Sequence, residues 1–203
     1  LIFLSVDSQG EHAMQATILN GALPGDSFVD AVGAALQAAL QAEGWTVTSW
    51  TLRDEKVAYC LGCFECWTKT PGVCRIDDTG RAVAASLISS DLAIYLTPIT
   101  FGGYSSALKK AVDRAICLVS PFFTRIDGEV HHHARYARYP ALAGVGVLPA
   151  PHAAQEQIFH TLLGRNAINL HAPTHNSVVL YRDQAPAAAT LRNVYAFSGR
   201  VAA

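Results

Sequence analysis

Apolar positions along this chain follow two alternating rhythms. Short apolar runs fall at residues 16–19, 91–96, 141–148 and 177–181, and residues 46–52 alternate with Thr, Val and Trp. Runs of this length read as strands, and continuous ones as strands buried on both faces. Between them the spacing lengthens to three and four. From Ser27 onward, Phe28, Val32, Ala35, Leu36, Ala39 and Leu40 share one face, and Gly44 ends the helix. Asp30, three residues after Ser27, reads as a variant of the capping box. Asp77-Asp78-Thr79 can cap a second helix carrying Val83, Ala84, Leu87 and Ile88. Ser105 or Ser106 caps a long third one with Leu108, Val112, Ala115, Ile116 and Val119, and residues 153–163 form a fourth.

Strand and helix therefore alternate from Met14 on. Repeated βα units predict an α/β fold, a doubly wound five-stranded parallel sheet with helices on both faces. Ligands of such sheets sit beyond the carboxyl ends of the strands. That selects the loops at residues 20–27, 97–104 and 148–152.

Composition narrows the picture. The chain has 203 residues, 51% of them hydrophobic and 15% charged, with a formal net charge of −1. This suits one globular domain and gives no electrostatic footprint for nucleic acid or an anionic membrane. No apolar run is long enough for a bilayer span. Met14 is the one methionine and stands directly before the first core strand. Residues 1–13 thus read as a non-core extension and residues 14–203 as the domain.

The densest chemistry lies in Cys60-Leu-Gly-Cys63-Phe-Glu-Cys66-Trp-Thr-Lys-Thr-Pro-Gly-Val-Cys74, a C-x2-C-x2-C-x7-C spacing that leaves only Cys117 outside. Cys60, Cys63 and Cys66 can curl around one corner of an iron–sulfur cluster, with Cys74 arriving from a short loop. Zinc more often takes two C-x2-C pairs further apart, and a local disulfide or free thiol chemistry also fits. A thiolate-dependent site favours a reducing compartment, which predicts a cytoplasmic protein. His131-His132-His133 follows the strong Asp127-Gly128 turn and reads as a loop packed near the cysteine motif or the active-site mouth. Arg135 and Arg138 in the same loop could meet an anionic nicotinamide cofactor or substrate. There is no Gly-x-Ser-x-Gly, Walker loop or Gly-x-Gly-x-x-Gly, so hydrolase and NTPase readings have no support.

Three stretches resemble one family. They are the strand-Asn20-Gly21-Ala22 turn with the helix opening at Asp26-Ser27, the cysteine motif followed by Asp77-Asp78, and the run from Asp91 through Thr97-Pro98-Ile99-Thr100-Phe101-Gly102-Gly103-Tyr104 to Leu108-Lys109 and Asp113-Arg114. In order and character they are similar to the flavodoxin-like NAD(P)H-dependent FMN reductases, in particular their iron–sulfur flavoprotein branch. The resemblance implies FMN, NAD(P)H as electron donor and a [4Fe-4S] cluster on Cys60, Cys63, Cys66 and Cys74. It places the FMN phosphate at Asn20, Gly21, Ala22, Gly25, Asp26 and Ser27. It places the flavin ring at Pro98, Ile99, Thr100, Phe101, Gly102, Gly103 and Tyr104, with Phe101 or Tyr104 against the ring. His152, on the third ligand loop, would touch the flavin.

A strand-to-helix turn suits a phosphate because helix N-terminal amides point at it. This turn departs from its relatives, however. It has Ala22 where they carry Ser, no cation of its own, and the negative Asp26. If Pro24 and Asp26 pinch it shut, FMN binding would be weak. The implied function is an FMN oxidoreductase passing electrons to a small-molecule or protein acceptor, assembled as a homodimer or homotetramer. An electron-transfer flavoprotein without a substrate of its own, or a cofactor-free binding module with a zinc or disulfide staple, are the alternatives.

Overall fold

In a computed structural model of the chain, residues 14–184 and 186–196 are described. The extension at residues 1–13 lies outside them. Five strands, β1 (Gln15–Asn20), β2 (Thr46–Thr51), β3 (Leu92–Pro98), β6 (Ala141–Leu148) and β7 (His175–Tyr181), form one sheet in the order β2-β1-β3-β6-β7. Every pairing in it is parallel. The sheet is the doubly wound architecture that the alternation predicts. β3 and β6 are buried at every position, as central strands covered on both faces must be.

The two faces carry separate cores. On one, α1 (Ser27–Ala42) and α6 (Ala188–Tyr195) pack Val29, Val32, Leu36, Leu40, Leu191 and Val194 against Ile18, Ile94 and Val145. On the other, α3 (Thr79–Ser89), α4 (Ser106–Arg114) and α5 (Ala153–Asn169) pack Val83, Leu87, Leu108, Phe159 and Leu163 against Leu19, Tyr95 and Leu142. Two caps are the expected ones: Asp78 accepts from the Gly80 amide at 2.9 Å, and Ser105 from the Leu108 amide. At α1 the capping residue is Asp26, which accepts from the Val29 amide. Asp30 is not part of a capping box, because its carboxylate accepts from Arg53 and Asn20.

The long third helix does not exist as read. It ends at Arg114, passes through a 3-10 turn at Ala115–Leu118, and Val119 opens a strand. Pro121 supplies the reason, since the residue before a proline is pushed out of the helical region. β4 (Val119–Ile126) and β5 (Glu129–Ala134) then form an antiparallel hairpin. Its tip is Asp127-Gly128, both with positive φ, the geometry of a two-residue primed turn. The His131–His133 tract is therefore strand, not loop. α6 and the four-residue α2 (Glu65–Thr68) add to what the apolar rhythm indicates.

Candidate active site and cysteine cavity

The loops singled out by topology do converge at the carboxyl end of the sheet. The Gly21 amide donates to the Leu96 carbonyl at 2.8 Å, and the Ser105 hydroxyl donates to the Gly21 carbonyl at 2.6 Å. A Cβ on Gly21 would lie 2.7 Å from Leu108 Cβ, so only glycine lets the β1–α1 turn lie against α4. Asn20 is buried; its side chain accepts from the Ala22 amide and donates to Asp30. The Ile99 amide donates to the Val147 carbonyl, which brings the β6–α5 loop to the same end.

At the α1 N-terminus the turn carries Gly25 with φ +80°, an exposed Ser27, and Asp26. Both Asp26 carboxylate oxygens accept from Arg182, each at 2.7 Å. The Arg182 hydrogen bond holds the Asp26 carboxyl below its ordinary pKa; burial opposes this and the Val29 amide assists it. The cation missing from the turn thus arrives in space from the end of β7. The same contact places a carboxylate where an anionic ligand would meet the helix amides.

In the β3–α4 loop, Thr100 and Gly103 exchange backbone hydrogen bonds around a two-residue turn of Phe101 (φ 50°) and Gly102 (φ 80°). A non-glycine residue in the left-handed region is strained. The turn holds the Phe101 ring 93% exposed. Gly102 is pressed on α5, where an added Cβ would fall 2.7 Å from Ile158. Tyr104 faces inward instead: it is buried, lies edge-on to Tyr95 and Phe159, and accepts from Asn166. Burial pushes its hydroxyl up to about 12. Of the two aromatics, Phe101 is the one at the surface. His152 is exposed and caps α5, accepting from the Gln155 amide.

A cavity of about 440 Å³ lies elsewhere. The cysteine loop forms one wall with Cys60, Cys63, Cys66 and Cys74; Tyr95, Arg114, Ile116, Asn166 and Leu170 line the rest. α2 holds this wall, with Trp67 donating to the Ile116 carbonyl. All the cysteines are free thiols: Cys60 and Cys63 exposed, Cys74 half-buried, Cys66 and Cys117 buried. Burial raises the Cys66 pKa, and charges on Cys74, Cys60 and Cys63 would raise it further. Burial likewise pushes Cys117 up to about 11, with Cys66 and Cys74 adding to it. Among the described residues no three His, Cys, Asp or Glu side chains gather closely enough to hold one metal ion. Zinc needs four donors about 2.0–2.3 Å from a single point. A cubane spreads its four thiolates over four irons but still needs all of them turned toward one centre. The four cysteines line one cavity without gathering at metal-binding distance.

The hairpin packs beside this loop. His132 lies between Trp67 and Phe123, with ring centroids 4.8 and 5.1 Å away, and Phe64 stacks on Trp67. Arg135 and Arg138 both have partners within the protein, though Arg138 stays largely exposed. Arg135 donates to the carbonyls of Cys117 and Val119, and Arg138 is paired with Asp91. Sequence reasoning missed Arg182 as a partner of the first turn. No local signal marks it, since 156 positions separate it from Asp26.

The chain matches the family model described as NADPH-dependent FMN reductase over residues 14–185. No curated protein matches it. Among solved structures it is similar to an NAD(P)H:quinone oxidoreductase from Methanothermobacter marburgensis, at 12% identity and TM-score 0.63 over 93% of this chain and 96% of that one. An FMN-dependent NADH-azoreductase from Bacillus anthracis, solved with FMN, aligns at 12% identity and TM-score 0.62 over 94% and 100%. An NADH:FMN oxidoreductase in its apo form aligns at 14% identity and TM-score 0.63 over 92% and 88%.

Proposed function

Because this chain belongs to the NADPH-dependent FMN reductase family, we propose that it is an FMN-dependent oxidoreductase drawing electrons from NAD(P)H or a reduced carrier for a small-molecule or protein acceptor. The observation that carries this is the meeting of the β1–α1, β3–α4 and β6–α5 loops at one end of the sheet. FMN supplies the electron chemistry when bound. The protein's own part is to seat and orient it. Asn20, Gly21, Ala22, Gly25 and Ser27 would hold the phosphate at the α1 N-terminus against the opposing charge of Asp26, and Pro98, Ile99, Thr100, Phe101, Gly102 and Gly103 the ring. Tyr104 would support that loop from the core. His152 would serve by capping α5, at the rim. Arg182 can supply the missing positive charge once it releases Asp26. The amides of Gly21, Ala22, Asp26 and Ser27 already donate within the protein, so the side chains of Arg182 and Ser27 would carry the phosphate contacts.

Titration with FMN under fluorescence, followed by NADPH oxidation at 340 nm, tests the reading. Saturable quenching and FMN-dependent NADPH turnover are expected. Absence of both would sink it in favour of a cofactor-free binding module, the reading that the Asp26–Arg182 pair across the seat favours.

We further propose that the protein belongs to the iron–sulfur branch, with Cys60, Cys63, Cys66 and Cys74 holding a [4Fe-4S] cluster. What supports this is that the four thiols line one cavity. Such a cluster exchanges single electrons when present. Anaerobic reconstitution with iron and sulfide should give cluster absorbance in the native chain. Cys63→Ser should lose it and keep the flavin peak, because the FMN loops are separate from the cysteine loop. Zinc in place of iron would rule against the branch, and loss of both signals would mean that the cysteine loop supports the flavin site. A reducing, cytoplasmic setting suits the free thiols. Among the described residues no helix is long and apolar enough to cross a membrane.

A further inference from the structure

Arg114 is a buried arginine at the end of α4 whose side chain is 2% exposed. Four of its hydrogen bonds go to the two ends of the cysteine loop. Nη1 donates to the Ala58 carbonyl and to Asp78 Oδ2, at 3.2 and 3.0 Å. Nη2 donates to the Ile76 carbonyl and to Asp78 Oδ1, at 3.2 and 2.9 Å. Asp78 Oδ2 also accepts from the Ala58 amide. Ala58 stands two residues before the first cysteine of the motif and Ile76 two after the last. One guanidinium thus closes the loop that carries all four thiols.

The packing around this closure leaves little play. A Cβ on Gly80 would fall 2.9 Å from Asp78 Oδ1 and 3.1 Å from Arg114 Cζ. The remaining donor, Arg114 Nε, is buried without a hydrogen-bond partner. An orphaned charged donor is costly, and a native protein keeps one where it has something to meet. Arg114 and Cys74 line the same cavity.

We propose that Arg114 is the positioning residue of the four-thiol site, clasping the ends of the cysteine loop and reserving its Nε–H for a sulfur at Cys74. The inference rests on the reading of that loop as a cluster site. Hydrogen bonds to ligand sulfur are one of the levers by which a protein sets cluster potential. Lysine keeps the charge and an ion pair with Asp78. It cannot fork to both carbonyls or present a separate N–H to sulfur.

The test compares the full-length native chain, Arg114→Lys and Arg114→Ala, with far-ultraviolet circular dichroism as the fold control. Each is reconstituted anaerobically with ferrous iron and sulfide, and iron per chain and midpoint potential are measured. The metal-free forms are cut with a protease and cleavage within residues 58–78 is timed. Arg114→Ala is expected to lose most of the iron and to be cut about tenfold faster in the loop. Arg114→Lys is expected to keep iron at a more negative potential. Should Arg114→Ala fail to fold, the potential and loop cleavage of Arg114→Lys decide. An unchanged potential in Arg114→Lys overturns the role toward sulfur, and unchanged loop cleavage in both variants overturns the clasp. If the native chain takes up no iron, the cluster reading falls. Loop cleavage then still supports or overturns the clasp by itself.

Discussion

At the scale of single residues, Asp26 has the clearest consequence. It caps α1, neutralises Arg182 and puts a negative charge at the proposed phosphate seat. Asn caps a helix as well as Asp does. Asp26→Asn should therefore leave helix stability within about 1 kcal/mol and tighten FMN binding by about tenfold, or about 1.4 kcal/mol. Arg182→Ala should weaken it. Fluorescence titration of the three proteins gives the order, and a loss of affinity in Asp26→Asn would place the phosphate elsewhere. Gly102 makes a second residue-scale case. Its φ of 80° and the 2.7 Å approach to Ile158 leave no room for a side chain. Gly102→Ala should cost about 1–3 kcal/mol in urea denaturation, from backbone strain and overpacking together.

At the scale of elements, the Asp78–Arg114 pair joins the two ends of the cysteine loop. Burial pushes the Asp78 carboxyl up, but Arg114 and the amides of Ala58 and Gly80 outweigh it and hold the pKa below its ordinary value. A depressed carboxylate contributes stability that is fully present above the unfolded pKa of about 3.9 and is lost as pH falls through the folded value. Removing one partner of a buried pair costs about 3–5 kcal/mol. Asp78→Asn should therefore be markedly less stable than the native chain at pH 7, and the gap should narrow below about pH 4. Denaturant melts at pH 7 and pH 3 measure it; a constant gap would mean that the carboxylate's charge contributes nothing. The hairpin is another lesson at this scale. Pro121 and Asp127-Gly128 were the local marks of a helix end and a primed turn, yet Val119 also continued the α4 apolar face. Periodicity carried the helix five residues too far because it does not register a lost backbone donor.

At the scale of the whole molecule, the family match begins at Met14, where the first core strand is about to start. A chain beginning at Met14 should melt within a few degrees of the full one and bind FMN equally. A large drop in melting temperature would make residues 1–13 part of the fold. The parallel sheet, its helices on both faces and the end at which its loops gather were legible from alternation alone, because burial on two faces demands continuous apolar strands and crossover helices between them. The four cysteines were legible as a cluster of like chemistry, since they lie close in sequence. Their shared cavity was not, because Tyr95, Arg114 and Asn166 on its other wall come from three other elements. Nor was the role of Tyr104, whose position beside Gly103 looked like ring wall and whose rotamer turned it into the core. The sequence by itself determined the architecture, the end at which the strand-to-helix loops gather and the thiol motif, all carried by local periodicity and spacing. Only the tertiary structure decided which charges meet. Arg182 on Asp26 and Arg114 on Asp78 are contacts across 156 and 36 positions, and ion pairs form by proximity in space, which no local pattern records.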